Sequence, residues 1–68
     1  MRDIHGMYMD VGSQVVTHPA PDSLCSHGFI GTIRKFRRET NGLLLAAVED
    51  QDGNVFEFKK EELELECE

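Results

Sequence analysis

Asp10-Val11-Gly12-Ser13-Gln14-Val15 and Gly28-Phe29-Ile30-Gly31-Thr32-Ile33 are the two stretches that decide the fold of this chain. Each sets apolar, mostly β-branched residues beside glycine, and together they look like a strand, a loop and a glycine-punctuated second strand of a small barrel. Around the first, Gln14-Val15-Val16-Thr17 is short and β-branched, while Pro19 and Pro21 lack the N–H that a central ladder needs. A first strand therefore occupies residues 11 to 18 and ends at about His18. Outward from the second, strands are expected over residues 28 to 37, 43 to 49 and 54 to 58. Asn41-Gly42 and Asp52-Gly53 supply the positive φ that tight hairpins require, so these three strands form an antiparallel meander.

At the C-terminus Leu63, Leu65 and Cys67 alternate with Glu62, Glu64, Glu66 and Glu68. A period of two suits a half-buried strand with its acids in water. A helix fits less well, because Phe58, Leu63 and Leu65 do not recur at the three- and four-residue intervals of an amphipathic face. Lys59-Lys60-Glu61-Glu62 reads as a single 3₁₀ turn leading into this fifth strand. Residues 19 to 27 form a long loop between the first two strands, placed to serve as a binding rim. Residues 1 to 9, with three methionines and Gly6 but no periodicity, read as a flexible N-terminal arm able to fold back onto a surface, leaving residues 10 to 68 as the domain. Phe29, Ile30, Ile33, Leu43, Leu45, Val48, Val55, Phe56, Phe58, Leu63 and Leu65 supply the expected core, with Leu44 or Ile30 left outside.

Five strands, one long early loop, two tight hairpins and a one-turn helix before the last strand resemble an SH3-like β-barrel. Within that class the chain is similar to KOW-type and tudor-like barrels. In those families a hydrophobic residue and a glycine precede the first strand, and a Gly-x-x-Gly-x-hydrophobic stretch opens the second. Val11-Gly12 and Val15 match the first element; Gly28, Gly31 and Ile33 match the second. The likeness spans roughly residues 10 to 66 and implies a mainly β, five-stranded barrel and, for KOW-like members, nucleic-acid binding. The chain departs from that pattern at Ser13, where an acidic residue is usual, and in being acidic where such members are basic. Plasmid-type dihydrofolate reductase uses the same barrel, but its Val-Gln-Ile-Tyr stretch is replaced here by Val55-Phe56-Glu57-Phe58. No nicotinamide, folate or other cofactor is expected.

The sharpest local feature is Arg34-Lys35-Phe36-Arg37-Arg38. On an uninterrupted strand Arg34, Phe36 and Arg38 share one face, a ring for a base to stack on with phosphate-binding cations beside it. The competing structural reading places Phe36 at the barrel base or after a bulge, with the charges solvating a hairpin, and the acidic total favours it. Seven Lys and Arg stand against thirteen Asp and Glu, a net charge of -6 that disfavours general attraction to nucleic acid or anionic membranes. Residues 49 to 68 hold nine acids and two lysines, an edge suited either to basic partners or simply to resisting strand-to-strand aggregation.

Asp22, Leu24, Cys25 and His27 lie in the long loop and are binding candidates. Cys25-Ser26-His27 lacks the spacing of a structural zinc site, so no metal site is assigned, and a thiol on a proline-flanked loop lacks the rigid frame a catalytic pair needs. Cys25 and Cys67 read as thiols in a reducing cytoplasm. The longest apolar run, residues 43 to 48, is far short of the roughly 20 residues needed to cross a bilayer. Absence of tryptophan disfavours recognition of proline-rich ligands or methylated side chains.

The residues thus point to a small, non-enzymatic interaction module that binds a protein partner. The alternatives are a KOW-like binder of single-stranded RNA or DNA through Arg34, Phe36, Arg37 and Arg38, and an enzyme or accessory subunit using Cys25 and His27.

Overall fold

The computed structural model describes residues 1 to 22 and 27 to 66. These are mainly β: β1 (Gln14–Thr17), β2 (Ile30–Arg38), β3 (Leu44–Glu49), β4 (Val55–Phe58) and β5 (Leu63–Leu65), with one 3₁₀ turn (Lys60–Glu62) before the last strand. All five make one antiparallel sheet in the order β4-β3-β2-β1-β5. The first strand is therefore interior, with its neighbour in sequence on one side and the last strand on the other. Backbone pairing does not close the sheet, whose two edges are β4 and β5. No helix among the described residues is long and apolar enough to cross a membrane.

Both hairpins form at the expected dipeptides. Gly42 and Gly53 take φ of 89° and 85°, a region that side-chain-bearing residues avoid. Each turn is also pinned by a short polar side chain. Asn41 Oδ1 accepts from the Leu43 N–H at 2.9 Å, and Asp50 Oδ1 accepts from the N–H groups of Asp52 and Asn54, each at 2.9 Å.

The ladder between β2 and β3 is interrupted. Ile33 faces Val48, but the next pair is Lys35 with Ala47 and then Phe36 with Ala46, so Arg34 is an extra residue in a β-bulge. The bulge moves Phe36 to the inner face with Gly31 and Ile33, three residues on rather than two. Gly31 is required by close approach: a Cβ there would lie 2.6 Å from the Glu49 carbonyl oxygen and 2.6 Å from Val48 Cγ1.

Met9, Val15, Ile33, Ala46, Val48, Phe58 and Leu63 form the core cluster, with Phe29, Phe36, Phe56 and Leu65 packed on it. The Phe29 ring meets Phe58 edge-on at 5.8 Å and Phe56 at 5.9 Å. Ile30 lies outside, as one of the two expected alternatives. Leu43 and Val55, expected inside, are exposed at the sheet's outer face, and Val55 is 53% accessible. Met9 takes a core place instead.

Residues 1 to 9, expected as an arm outside the domain, are a hydrogen-bonded turn seated on β5. Asp3 is buried, and its Oδ1 accepts from the N–H groups of His5 and Met7 at 2.9 and 2.8 Å. Its Oδ2 accepts from the Leu65 N–H at 2.7 Å, while the Ile4 N–H donates to the Leu63 carbonyl at 3.1 Å. The turn thus satisfies the outward-pointing backbone of β5, as a sixth strand would. Gly6, at φ 80°, permits the reversal.

Glu62 departs from the expected solvated row of acids. It is buried, accepting at Oε2 from the Ala20 N–H at 2.8 Å and at Oε1 from the Lys59 N–H at 3.1 Å. One carboxylate therefore caps the 3₁₀ turn and ties down the start of the long loop.

Candidate functional site

The bulge decides where the basic residues of β2 go. Arg37, opposite Leu45, reaches across the outer face to Glu57 on β4 with two parallel bonds, Nε to Oε2 at 2.6 Å and Nη2 to Oε1 at 2.9 Å. Glu39 stands 3.6 Å from the same guanidinium. This fork holds the Glu57 carboxyl below its ordinary range and raises the Arg37 guanidinium further, so both are fully charged at neutral pH. Arg34 pairs through Nε with Glu49. Arg38 donates to the Gly42 carbonyl at 3.4 Å, within its own hairpin.

Arg34, Phe36 and Arg38 therefore do not present one stacking face. The Phe36 ring packs against the core, and Arg34 and Arg37 already face carboxylates of β3 and β4. A phosphate arriving here would compete with Glu49, Glu57 and Glu39 for the same N–H groups.

Beside this ion cluster lies a groove of about 380 Å³. Its floor is built from the outer side of the sheet, with Leu43 and Leu45 of the β2–β3 hairpin and Val55 of β4. Arg37, Glu39, Glu57 and Lys59 stand around it, and Glu62 and Asp22 bring in the 3₁₀ turn and the long loop. The strand pattern explains the apolar floor: β3 is hydrophobic on both faces, so Ala46 and Val48 serve the core while Leu45 and Ala47 line the opposite side.

β4 adds a second property to this surface. The Asp50 N–H donates to the Asn54 carbonyl at 2.9 Å, which fixes the alternation of the hairpin. Phe56 and Phe58 then turn their backbone groups toward β3, and Val55 and Glu57 turn theirs to the outer edge. The exposed Val55 and the charged Glu57 thus occupy the edge positions with outward backbone.

Of the loop candidates, Asp22 lines the groove and His27 is exposed on the far side of the loop in sequence, three residues ahead of β2. Leu24 and Cys25 lie outside the described residues, as does Cys67. Among the described residues no group of His, Cys, Asp and Glu is arranged to hold a metal ion. Leu45, Val55, Glu57 and Lys59 were not singled out in sequence as a site. Alternation along β4 carried the signal, since Val55, Glu57 and Lys59 share the face opposite Phe56 and Phe58.

No protein-family model matches this chain, no curated protein is significantly similar to it, and no solved structure matches it.

Proposed function

We propose that this chain is a non-enzymatic protein-interaction module of the SH3-like, KOW/tudor-like type, and that its contact surface is the outer face of the β2–β3–β4 meander. The observation that carries this reading is the apolar groove floored by Leu43, Leu45 and Val55 beside an internally paired ion cluster. The exposed Leu43 and Val55 over a buried Leu45, framed by fixed charges, suit a complementary protein surface, where the apolar centre supplies affinity and the rim supplies register. The first strand between the second and the last, two tight hairpins and a 3₁₀ turn before the final strand support the SH3-like reading. Pairing of Arg34 and Arg37 with acids weighs against a phosphate site. As part of the same reading the module works in a reducing cytoplasm, with Cys25 and Cys67 as thiols.

The test pairs affinity capture with NMR. A protein captured by the wild-type chain and then purified should bind it directly, and Leu43→Asp with Val55→Asp should weaken that binding about tenfold or more, as loss of an apolar centre does. Mixed single-stranded RNA and DNA at low salt should leave the amide spectrum of residues 34 to 38 unmoved. Salt-sensitive shifts there, or a direct complex indifferent to the double substitution, would overturn the reading.

A further inference from the structure

The two edges of the sheet are finished differently. The outward backbone of β5 is met by the N-terminal turn, through the Ile4 N–H on the Leu63 carbonyl and Asp3 Oδ2 on the Leu65 N–H. On β4 the outward N–H and carbonyl groups belong to Val55 and Glu57, and among the described residues nothing bonds to them. We propose that a second copy of this chain covers that edge, its β4 pairing antiparallel with this one about a two-fold axis at Phe56.

The free groups fix the register. The next outward residue, Lys59, is already engaged: its N–H donates to Glu62 Oε1 at 3.1 Å, and its carbonyl accepts from the Glu62 N–H at 3.0 Å. At the other end Gly53 belongs to the hairpin, its N–H donating to the Asp50 carbonyl at 3.2 Å. An axis at Glu57 would call on the Lys59 groups and set two Glu57 carboxylates face to face. An axis at Val55 would leave Glu57 against Gly53 of the turn. The axis at Phe56 sets Val55 against Glu57 of the second copy on both sides of the two-fold. Each of these residues donates one bond and accepts one, so every free group on both edges is satisfied.

Charge agrees with that register. β4 starts just after Asp50 and Asp52 and ends just before Lys59, so antiparallel pairing lays the acidic end of one copy along the basic end of the other. Lys59 comes opposite Gly53 of the second copy, beside its Asp52, and among the described residues neither side chain is in an ion pair. Lys60 and Glu61 line a cavity with Arg2 and Leu44 instead. Glu57, the one charged side chain on β4, is held by the Arg37 fork at 2.6 and 2.9 Å and brings little free charge to repel a second strand. β4 has no proline, lysine or bulge, the devices that keep natural edges apart, and its Val55 is exposed and β-branched. The net charge of -6 on each copy is screened by salt beyond about 8 Å, whereas the paired edges lie in contact. The pairing uses the backbone of β4 and does not depend on what the groove binds.

Sedimentation velocity and amide exchange on the whole chain test this. An edge contact of this size is weak, so the chain is run at about 0.5 mM in about 0.15 M salt. The wild-type chain should sediment as a dimer there. Between about 0.02 and 0.5 mM, protection of the Val55 and Glu57 amides should rise about fivefold or more, while Val48 inside the sheet stays constant. Asp52→Lys and Lys59→Glu should each dimerise about tenfold more weakly, because either change makes both symmetric contacts repulsive. Mixed in equal amounts, the two variants should regain dimerisation to within about twofold of wild type, since each then meets an opposite charge. A monomeric wild type, which leaves the edge to an unlike strand, would overturn the pairing. So would single variants that dimerise like wild type, a mixture that stays weak, or a dimer whose Val55 and Glu57 amides gain no protection.

Discussion

Replacing Asp3 with Ala should remove a keystone of the N-terminal turn. The carboxylate accepts three backbone bonds, from His5, Met7 and Leu65, at 2.9, 2.8 and 2.7 Å. Bonds to a charged acceptor are worth about 1.5–3 kcal/mol each when no other partner replaces them. The His5 and Met7 amides sit in an exposed turn where water takes over much of their bonding, so each loses about 0.5 kcal/mol. Leu65 N–H, at a covered strand edge, loses more. The sum is a destabilisation of about 2–3 kcal/mol, a large share of the roughly 3–10 kcal/mol a domain of this length commands. In a thermal melt this is a fall of about 10–20 °C, and in urea a lower midpoint with an unchanged slope.

Asp3→Asn retains one acceptor oxygen but turns an NH₂ toward a donor, so it should cost about half as much. Acid titration checks the sign. Burial pushes the Asp3 carboxyl up, and the bonds from Leu65, Met7 and His5 more than reverse it, leaving it below its ordinary 3.8. Its contribution is therefore present above that value and lost as pH falls through the lowered one, where the wild-type and Asn proteins should converge. Asp3→Ala within 0.5 kcal/mol of wild type at pH 7 would refute the reasoning, since the turn would then add nothing to the sheet.

Gly31→Ala should unfold the chain or cost at least about 3 kcal/mol by urea titration, because its methyl group meets backbone at 2.6 Å on β3 and the Phe29 ring at 2.9 Å; near-wild-type stability would mean that β2 and β3 can separate freely. Glu62→Ala should cost about 1–3 kcal/mol by leaving the Ala20 and Lys59 N–H groups unmet, and should sharply raise proteolysis of the loop after residue 20; an intact loop would show that Glu62 does not anchor it.

Much of the fold was legible because local rules fix it. Asn41-Gly42 and Asp52-Gly53 gave both hairpins, the alternation around Leu63 and Leu65 gave β5, and failure of helical spacing gave the 3₁₀ turn. What remained hidden depended on partners distant in sequence. Nothing local around Met9 announces a core residue, because its burial is created by strands that arrive later in the chain. Glu62 reads like its acidic neighbours until the Ala20 amide is brought to it. That Phe36 follows a bulge was one of the two placements the sequence favoured, but no glycine or proline marks Arg34 as the extra residue, and it is this position that moves Phe36 inward and sends Arg37 toward Glu57. Leu43 and Val55 are apolar by type, and only the register placed them on the outer face.

The position of β1 between β2 and β5 also sets an order of assembly. Pairs within the β2–β3–β4 meander join residues close in sequence, so little chain entropy opposes them, whereas Val15 must find Leu65 across most of the chain. The meander can take shape first, with β1 and β5 closing onto it together. The turn carrying Asp3 and Ile4 has no template until β5 is in place, so its docking marks the end of folding, and its release is the first step back.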